Sequence, residues 1–512
     1  MPLAKDKQIE LFSQQAPTEK EMFCKLQQNF APQYKAVFYD KMAAKTVVVI
    51  PSLTLDPVIL AKIDGIVHYE ERLLCLLLLL RMPKTHIIYV TSTPIDPIII
   101  DYYLHLLPGI TGDHARQRMH FFSCYDASPV SLTEKILARP RLIKRMMNAI
   151  PDGHLAHLAC FNVTEHERKL AVTLGLPVYG CNPDLLFWGT KSGSREIFKE
   201  CGVDIPAGYE NLQNEQQVIK ALADLYENNP LLMKAVIKMN DGFSGEGNAV
   251  FPYQKISGRE NIESQIRDLL PAEIEIVASD LTYQQFMHKF TSMGGIVEEF
   301  IDAPQKASPS VQCRINPLGK IDIISTHDQL MGGPDGQVFL GGTFPANKEY
   351  SIDVGTLGKK ISEVMKNKGV MGRFGVDFLS VKENEEWKHY AIEINLRKGG
   401  TTHPYIMLQF LTNGDYNPDT GKYILADGNE KCYLFTDNLQ DDRFKGLVPS
   451  DLMEIAMLNN LHYDATKEEG VMFHLIGALS QFGKIGLVCI ASTFERAKYF
   501  YDETVRVLEG EC

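Results

Sequence analysis

The sequence predicts an α/β protein made of several units, and three observations support this prediction. Short β-branched runs that end in turn residues alternate with stretches typical of helices, which is the pattern of an open, mostly parallel sheet. The chain has 512 residues, and at roughly 150 residues per domain a chain of this length forms about three folded units. Two later strands each carry carboxylates among apolar neighbours, which indicates a site rather than a plain core.

The first sheet is predicted between residues 41 and 188. Runs such as Val47-Val48-Val49-Ile50, followed by Pro51-Ser52, read as buried parallel strands. Helical stretches at 69–80 and 132–149 separate them. Four runs have this character, namely 47–50, 87–90, 121–123 and 178–180. We therefore expect ligand loops at the carboxyl ends of these strands.

Changes of pattern along the rest of the chain predict the remaining units. The turn-rich stretch 413–430 marks the end of one unit, and a strand at 485–490 followed by a helix at 494–508 marks the last. The predicted units are a helical extension at 1–40, an open α/β domain at 41–188, a small subdomain at 189–295, a large subdomain at 296–428 and a C-terminal domain at 429–512.

Composition argues against several classes of protein. Hydrophobic residues make up 45% of the chain and charged residues 23%, which is ordinary for a globular protein. The net charge of -12 provides no overall basic field, so we expect no nucleic-acid partner. The 10 cysteines form no Cys-x-x-Cys pair, which indicates reduced thiols in a cytoplasmic protein.

The most apolar run, residues 73–80, lies between Arg72 and Arg81. It is far shorter than the ~20 residues that a membrane-spanning helix needs. The first residues of the chain are polar and lack the core of a signal peptide. We therefore expect a buried helix at this run and no membrane partner.

A glycine-rich loop follows the predicted strand 235–238. Glycines at 242, 245 and 247 allow tight turns and close approach of the backbone to a ligand. Successive N–H groups in such a loop can hold phosphate oxygens, and Lys238 adds a positive charge at the strand end. No helix follows directly, so the loop is neither a Walker A loop nor a Rossmann fingerprint, and a plain hairpin turn remains the alternative.

Two strands further on carry an acidic set. Glu393 and Asn395 lie two residues apart and share one face of their strand, and Asp377 joins that face if its strand is an antiparallel neighbour. Two carboxylates and an amide oxygen are hard ligands suited to Mg²⁺. Arg397 continues the face, and its planar fork suits carboxylate or phosphoryl oxygens. A pair of solvated strands is the alternative, which the apolar flanks make less favourable.

The ordered set of these motifs resembles the ATP-grasp enzymes, and in particular the peptide-ligase family typified by the pheganomycin ligase. The matching blocks are 47–105, 325–346 and 390–404, so the resemblance runs from about residue 45 through nearly the whole chain. It implies an ATP-grasp fold with an N-terminal open α/β pre-ATP-grasp domain and a small C-terminal α/β domain. An animal IQ-motif protein family contains a similar module, but this sequence has no IQ motif for calmodulin.

The resemblance implies a binding site for ATP and Mg²⁺, with Mn²⁺ as an alternative ion. Lys191 would open the nucleotide cleft, Lys238 would contact the α-phosphate, and the loop would cover the other phosphates. The loop residues are Gly242, Phe243, Ser244, Gly245, Glu246 and Gly247. The hinge residues that would read and pack the adenine are Glu298, Glu299, Phe300 and Ile301. The implied metal ligands are Asp377, Glu393 and Asn395.

The sequence departs from the family pattern at two places. Ser308 lies where many ATP-grasp ligases have a glutamate that holds the ribose. Gly375 lies where several have an arginine, and Arg314 or Arg373 is the expected replacement. The resemblance therefore implies Arg397, Lys238 and Arg314 as catalytic residues. The expected substrate contacts are Arg72, Gln329, Gly399, Gly400, Thr401 and His403.

These expectations lead to one functional prediction. The chain is predicted to join a carboxylate to an amine through an acyl-phosphate, releasing ADP and phosphate, with small-molecule or peptide substrates. A homodimer is the oligomer expected of such ligases. The alternatives are a nucleotide-binding scaffold without activity and a small-molecule kinase on the same fold.

Overall fold

The computed structural model describes residues 17–511 except 56, 243–246, 259, 279 and 333–337. After an N-terminal helix, Glu19–Val37, the chain forms an all-parallel sheet with the strand order β3-β2-β1-β4. The strands are β1 Lys45–Ile50, β2 Thr85–Thr91, β3 Met119–Ser123 and β4 Ala156–Cys160. Helices pack on this sheet at Pro57–Lys62, Ile66–Arg81 (3₁₀), Pro97–His105, Gly112–Arg116, Leu132–Leu137, Pro140–Asn148 and Glu165–Leu174. The predicted open α/β architecture is confirmed.

Two details of this unit differ from the sequence prediction. The predicted strand at 178–180 forms a single parallel bridge between Val178 and Leu158. The predicted helix at 132–149 is two helices, because Pro140 starts the second one and has no N–H to continue the first.

The apolar run lies in the 3₁₀ helix, where Leu74 and Leu77 are fully buried. None of the described helices has the length and apolar character needed to cross a membrane.

The small subdomain is an antiparallel sheet with helices packed against it. Its strand order is β5-β9-β6-β7-β8. The strands are β5 Gly208–Leu212, β6 Lys234–Met239, β7 Asn248–Pro252, β8 Glu275–Ile276 and β9 Gly295–Glu299. The helices are Lys191–Cys201, Glu215–Asn228, Ile262–Glu273 and Tyr283–Met293, after the 3₁₀ turn Pro183–Gly189.

A long antiparallel sheet occupies the rest of the chain. Its order is β10-β14-β11-β12-β13-β18-β20-β19, and β15 pairs with β14. Its strands are β10 Lys306–Ala307, β11 Pro309–Ile315, β12 Ile321–Gly332, β13 Val338–Phe344, β14 Gly372–Glu383, β15 Glu386–Asn395, β18 Cys432–Gln440, β19 Gly470–His474 and β20 Lys484–Ala491. A separate hairpin has the strands β16 Asp415–Asn417 and β17 Lys422–Ile424. The helices are Ser351–Asn367, Thr402–Thr412, Pro449–Leu458, Leu479–Phe482 and Phe494–Gly510.

This sheet continues across residue 428, where the sequence predicts a domain boundary. β13 pairs with β18 through Gly341–Thr436 and Phe344–Tyr433, so the C-terminal strands extend the sheet of the large subdomain. One apolar cluster contains side chains from both ends of the chain, including Leu77 and Leu487. The N-terminal 3₁₀ helix and the C-terminal strands thus share one core.

Candidate nucleotide and metal site

A cleft of about 910 Å³ lies where the small subdomain, the long sheet and the N-terminal 3₁₀ helix meet. Strand β14 supplies one wall, because alternate residues along a strand point to the same side. Arg373, Gly375 and Asp377 share that side and line the cleft, whereas Val376 lies in the apolar core behind the strand. The cleft also contains the ends of β6, β9 and β15.

The predicted acidic residues meet on this wall. Strands β14 and β15 are antiparallel neighbours, as predicted, and Asp377 lies directly opposite Glu393. Asn395 Nδ2 donates to one carboxylate oxygen of Asp377 at 2.9 Å. Gln329 Nε2 donates to the other at 2.8 Å. Four oxygen-bearing side chains therefore face one point of the cleft.

The charges at this point are strongly coupled. Burial and, to a smaller extent, the neighbouring charge of Glu393 together raise the pKa of Asp377 to about 6. Burial also disfavours the charged form of Glu393, but the charge and hydrogen bond of Lys191 outweigh it and lower the pKa of Glu393. Lys191 Nζ lies 2.5 Å from Glu393 Oε2. Asp377 and Glu393 are two adjacent carboxylates, and Lys191 supplies one positive charge beside them. Further positive charge at this point would therefore be stabilising.

Local structure explains why Lys191 reaches this wall. It is the first residue of the helix Lys191–Cys201, whose N-terminus is capped by Thr190 Oγ1 accepting from Gly193 N at 3.0 Å. Ser194 Oγ accepts from Ile394 N at 3.0 Å, which ties the helix to β15 beside Glu393. The lysine is therefore held by its helix rather than by its side chain alone.

Lys238 is positioned by a buried ion-pair network. Its Nζ lies 2.5 Å from Glu298 Oε1, and the other oxygen of Glu298 lies 2.9 Å from Arg195 Nη1. Glu298 and Arg195 are each only 2% exposed. The resemblance implies that Glu298 reads the adenine edge; in the structure it lines the cleft, and its carboxylate contacts Lys238 and Arg195.

The other nucleotide residues line the same cleft. Gly242 and Gly247 approach so closely that a Cβ at either would lie 3.4 Å from the other's backbone. Phe300 lies between the ammonium groups of Lys234 and Lys306, at 6.0 and 5.8 Å from the ring centroid. The remaining cleft-lining residues of this predicted set are Glu299, Ile301 and Ser308. The loop residues Phe243, Ser244, Gly245 and Glu246 lie outside the described residues.

The three arginines suggested by the sequence have different surroundings. Arg397 lines the cleft, and burial lowers its pKa although the charges of Glu393 and Asp377 oppose this change. Arg373 also lines the cleft, on the same side of β14 as Gly375. Arg314 is not among the lining residues and pairs with Asp322 at 2.8 Å. Of the two arginines expected to replace one at Gly375, Arg373 lines the cleft and Arg314 does not.

Five of the six predicted substrate residues line the cleft, and one of them, Gln329, lies against Asp377. The lining residues of this group are Arg72, Gln329, Gly399, Gly400 and Thr401. His403 is only 1% exposed and does not line the cleft. Burial lowers the pKa of His403 to about 4, so its ring is neutral at pH 7 and supports its neighbours instead of contacting a ligand.

Asp437 is a residue of this site that sequence reasoning missed. It lies in β18, lines the cleft and is 2% exposed. Arg72 Nη2 lies 2.6 Å from its Oδ2 and His474 Nε2 lies 2.7 Å from its Oδ1. Its only local signal is a carboxylate shortly after the apolar run 432–435, a weaker pattern than the apolar residues on both sides of Asp377.

Asp437, His403 and His474 also have the spacing of a metal-binding group. However, Arg72 already supplies the positive charge that Asp437 requires. A divalent ion beside that guanidinium would add like charge to a buried site, which is costly. We therefore interpret this group as an ion-pair network that holds Arg72.

Comparisons with known proteins agree with this architecture. A family model described as "IQCH-like, ATP-grasp" matches residues 185–275 and 259–419, and one described as "PGM1 C-terminal domain" matches residues 451–504. The L-propargylglycine–L-glutamate ligase of Streptantibioticus cattleyicolor is 27% identical over 453 residues, covering 86% of this chain and 90% of that protein. IQ motif-containing protein H of Danio rerio is 21% identical over 518 residues, covering 92% of this chain but 49% of that protein.

Solved structures share the fold at low sequence identity. An ADP complex of N5-carboxyaminoimidazole ribonucleotide synthetase is 13% identical with a TM-score of 0.50, covering 92% of this chain and 98% of that chain. The biotin carboxylase domain of Hydrogenobacter thermophilus 2-oxoglutarate carboxylase, in complex with MgADP, is 13% identical with a TM-score of 0.54, covering 90% and 89%. Together, these matches show that the chain has an ATP-grasp fold, that its residues 185–419 match an ATP-grasp family model, and that it is similar to a ligase over most of its length.

Proposed function

We propose that this ligase forms an amide bond between a carboxylate and an amine through an acyl-phosphate, releasing ADP and phosphate. The observation that carries the proposal is the arrangement of charge in one cleft. Asp377, Glu393 and Arg397 lie on one wall. Lys191 and Lys238 face the cleft from the small subdomain. Phosphoryl transfer requires this kind of positioning and neutralisation of charge more than covalent help from the protein.

The acidic wall suits a magnesium ion. Asp377 and Glu393 are buried neighbours of like charge, which is why the pKa of Asp377 is raised, and a divalent ion between them would remove that cost. Asn395 lies beside them, with its amide nitrogen donating to Asp377 at 2.9 Å, and its amide oxygen would be a third ligand. Mg²⁺ bound to these residues would neutralise charge on the phosphates of ATP.

The chain's own residues would then act as follows. Lys238, oriented by Glu298, would contact the phosphates, and Lys191 would stay beside Glu393. Arg397 would stabilise negative charge on the transferred phosphoryl group and the reacting carboxylate. Closure of the cleft would exclude water, which otherwise hydrolyses the acyl-phosphate.

The relatives support the general class of substrate. The name of the Streptantibioticus protein describes a ligase that acts on two amino acids. That name supports small-molecule carboxylate and amine substrates for this chain. A homodimer and a cytoplasmic location stay predictions from the sequence.

The test is to measure ADP and phosphate release from Mg²⁺-ATP with pooled amino acids and short peptides, with mass spectrometry of the products. Wild type should require two substrates and form a product lighter than their sum by one water. Glu393→Gln should lower turnover about 100-fold or more, because the acidic wall loses half of its charge. Glu386→Gln, an exposed position on the same strand, is the matched control and should retain turnover.

Two outcomes would contradict the proposal. A stable phosphorylated product would identify a kinase. Nucleotide binding without turnover over the whole library, in wild type as in Glu393→Gln, would identify a scaffold.

A further inference from the structure

Two apolar side chains face the cleft from the hairpin of β12 and β13. Met331 and Phe339 lie directly opposite each other in the register of this hairpin, and both line the cleft. Residues opposite each other in an antiparallel pair have Cβ atoms about 5 Å apart on one face of the sheet. Met331 is 37% exposed, and Phe339 is partly buried. The roles proposed for ATP and Mg²⁺ involve neither side chain.

Strand geometry places Met331 close to the acidic wall. Gln329 lies two residues earlier on β12, so the two side chains point to the same side, and both line the cleft. Gln329 Nε2 donates to Asp377 at 2.8 Å. Two residues of a strand span about 6.5–7 Å. Met331 therefore lies about one side-chain length along the cleft from a residue that contacts the proposed metal ligands.

The ring of Phe339 is held by contacts on several sides. Asn438 Nδ2 donates to the carbonyl oxygen of Phe339 at 3.0 Å, which fixes the backbone of β13. The ring lies beside that of Phe435, with centroids 6.0 Å apart. It also lies against Gly400, where a Cβ would be 3.0 Å from Phe339 Cε1. A ligand would therefore meet an apolar surface that is already formed, which lowers the entropic cost of binding.

The opposite face of the same hairpin also carries exposed apolar residues. Leu330 is 43% exposed and Leu340 is 42% exposed, and neither lines the cleft. Leu340 lies against Gly332, where a Cβ would clash with its side chain. Single exposed leucines are common on protein surfaces and do not by themselves indicate a ligand. The pair that faces the cleft differs from them because it lies beside the proposed reacting groups.

The chemistry of this pair defines what it can bind. Neither the thioether of Met331 nor the ring of Phe339 offers a strong hydrogen bond. A charged or amide group placed against them would lose water without gaining a partner, which is costly. An aliphatic or aromatic group would bury apolar area on both side chains. The flexible methionine can adapt to the shape of such a group.

We propose that Met331 and Phe339 form a specificity subsite that binds an aliphatic or aromatic side chain of one substrate. The subsite lies within about one side-chain length of the acidic wall, so the apolar group is attached close to the reacting carboxylate or amine. The inference rests on the proposed function for the reaction, but not for the binding of the apolar group. Both residues bind substrate and take no part in the chemistry.

The experiment uses two pools of amino acids that are matched in shape and differ in polarity. Leucine, methionine and phenylalanine form the apolar pool, and asparagine, glutamine and histidine form the polar pool. Wild type should use the apolar pool with a kcat/KM about 100-fold higher, because an apolar pocket discriminates against polar groups of similar shape by about this factor. Equal use of the two pools, or a preference for the polar pool, would overturn the proposal.

Substitutions on the two faces of β12 assign this preference to the subsite. Met331→Gln keeps the length of the side chain but adds an amide, so the preference should fall about tenfold. Met331→Leu should retain it. Leu330→Gln is the matched control, because Leu330 is the neighbouring residue, has similar exposure and does not line the cleft. An unchanged preference in Met331→Gln, or an equal fall in Leu330→Gln, would also overturn the proposal.

A binding measurement separates the subsite from the proposed function. The melting temperature is measured with Mg²⁺ and ADP on adding each pool. The apolar pool should raise it in wild type and Leu330→Gln but less in Met331→Gln, and the polar pool should raise it in none of them. A selective shift without turnover would retain the subsite and reject the ligase reaction. Turnover without selectivity in rate or shift would reject the subsite and retain the reaction, and the absence of both turnover and shift would reject both.

Discussion

At the scale of single residues, Glu298 shows how a carboxylate near a nucleotide cleft can serve the protein rather than the ligand. It neutralises Arg195 and Lys238, and it is 2% exposed. Glu298→Gln would leave the buried Lys238 without its ion-pair partner and Arg195 with Glu210 alone. We expect a loss of about 3 kcal/mol in the free energy of unfolding and weaker ATP binding, because Lys238 is no longer oriented.

Urea unfolding and nucleotide titration check this prediction, with Glu263→Gln as the control. Glu263 lies on the helix Ile262–Glu273 of the same subdomain, forms an exposed ion pair with Arg267 at 3.0 Å and does not line the cleft, and exposed pairs of this kind contribute about 0–1 kcal/mol. The control should therefore be close to wild type. Equal effects of the two substitutions would contradict the role assigned to Glu298.

Glu70 provides a pH prediction in the N-terminal unit. Burial raises the pKa of Glu70 to about 7, although Ser92 donates two hydrogen bonds to it and Lys135 lies nearby. The folded state thus binds a proton more tightly than the unfolded state. Its contribution to stability is complete below about pH 4.5, decreases as the pH rises, and is lost above about pH 7.

We therefore expect wild type to lose stability relative to Glu70→Gln as the pH rises from 4.5 to 7.5. The difference is at most about 3 kcal/mol for a shift of this size. Glutamine retains an oxygen for Ser92 N but carries no titratable charge. Thermal unfolding at a series of pH values measures the difference, and parallel curves for the two proteins would contradict the prediction.

The residues found from sequence were those whose chemistry stands out locally. Asp377, Glu393 and Asn395 are polar positions in apolar strands, and strand alternation alone placed Glu393 and Asn395 together. Asp437 is also a carboxylate close to apolar residues. Its place in the site depends on an ion pair with Arg72, which is 365 positions away in the chain. Pairings at that separation depend on the tertiary fold, which is why sequence reasoning missed this residue.

At the scale of elements, the helix Lys191–Cys201 carries a residue to the site from its first turn. Thr190 caps this helix by accepting from Gly193 N at 3.0 Å. We expect Thr190→Ala to cost about 1 kcal/mol of stability and also to raise the KM for ATP, because the frayed turn contains Lys191. Calorimetry and steady-state kinetics give the two quantities.

A second helix provides the control for this prediction. Thr493 caps the helix Phe494–Gly510 by accepting from Arg496 N at 3.2 Å, far from the cleft-lining residues. Thr493→Ala should cost a similar amount of stability and leave the KM for ATP unchanged. If both substitutions changed the KM equally, the effect would come from global stability and not from the position of Lys191.

Elements were predicted well where one local rule decided them. The strands around Val47 and Ile87 were correct because buried β-branched runs ending in turn residues rarely form anything else. The break at Pro140 follows from the missing N–H of proline, but the prediction of one helix at 132–149 did not take it into account. The 3₁₀ form of the Ile66–Arg81 helix was not predictable, because apolar periodicity does not separate neighbouring helix types within a fully buried run.

At the scale of the whole molecule, the C-terminal strands complete the same sheet that carries the site. β18 pairs with β13 on one side and β20 on the other, so removing residues 429–512 would expose an unpaired edge on β13. The pairing across residue 428 was not visible in sequence, because the turn-rich stretch 413–430 has the composition of a linker. That stretch instead contains the hairpin β16–β17.

We therefore expect residues 1–428 not to fold alone, although they contain every predicted ATP and metal residue. Tyr433, Phe435 and Leu487 are fully buried in a core shared with the N-terminal unit. Each contributes about 1.5–3 kcal/mol of burial, and losing several such side chains exceeds a typical stability of about 5–15 kcal/mol. Residues 1–428 should aggregate or unfold without cooperativity, whereas co-expression with 429–512 should restore a complex that binds ATP and holds Arg72 against Asp437. A monomeric 1–428 fragment with a cooperative melt and normal ATP binding would show instead that the C-terminal unit contributes neither to stability nor to the nucleotide site.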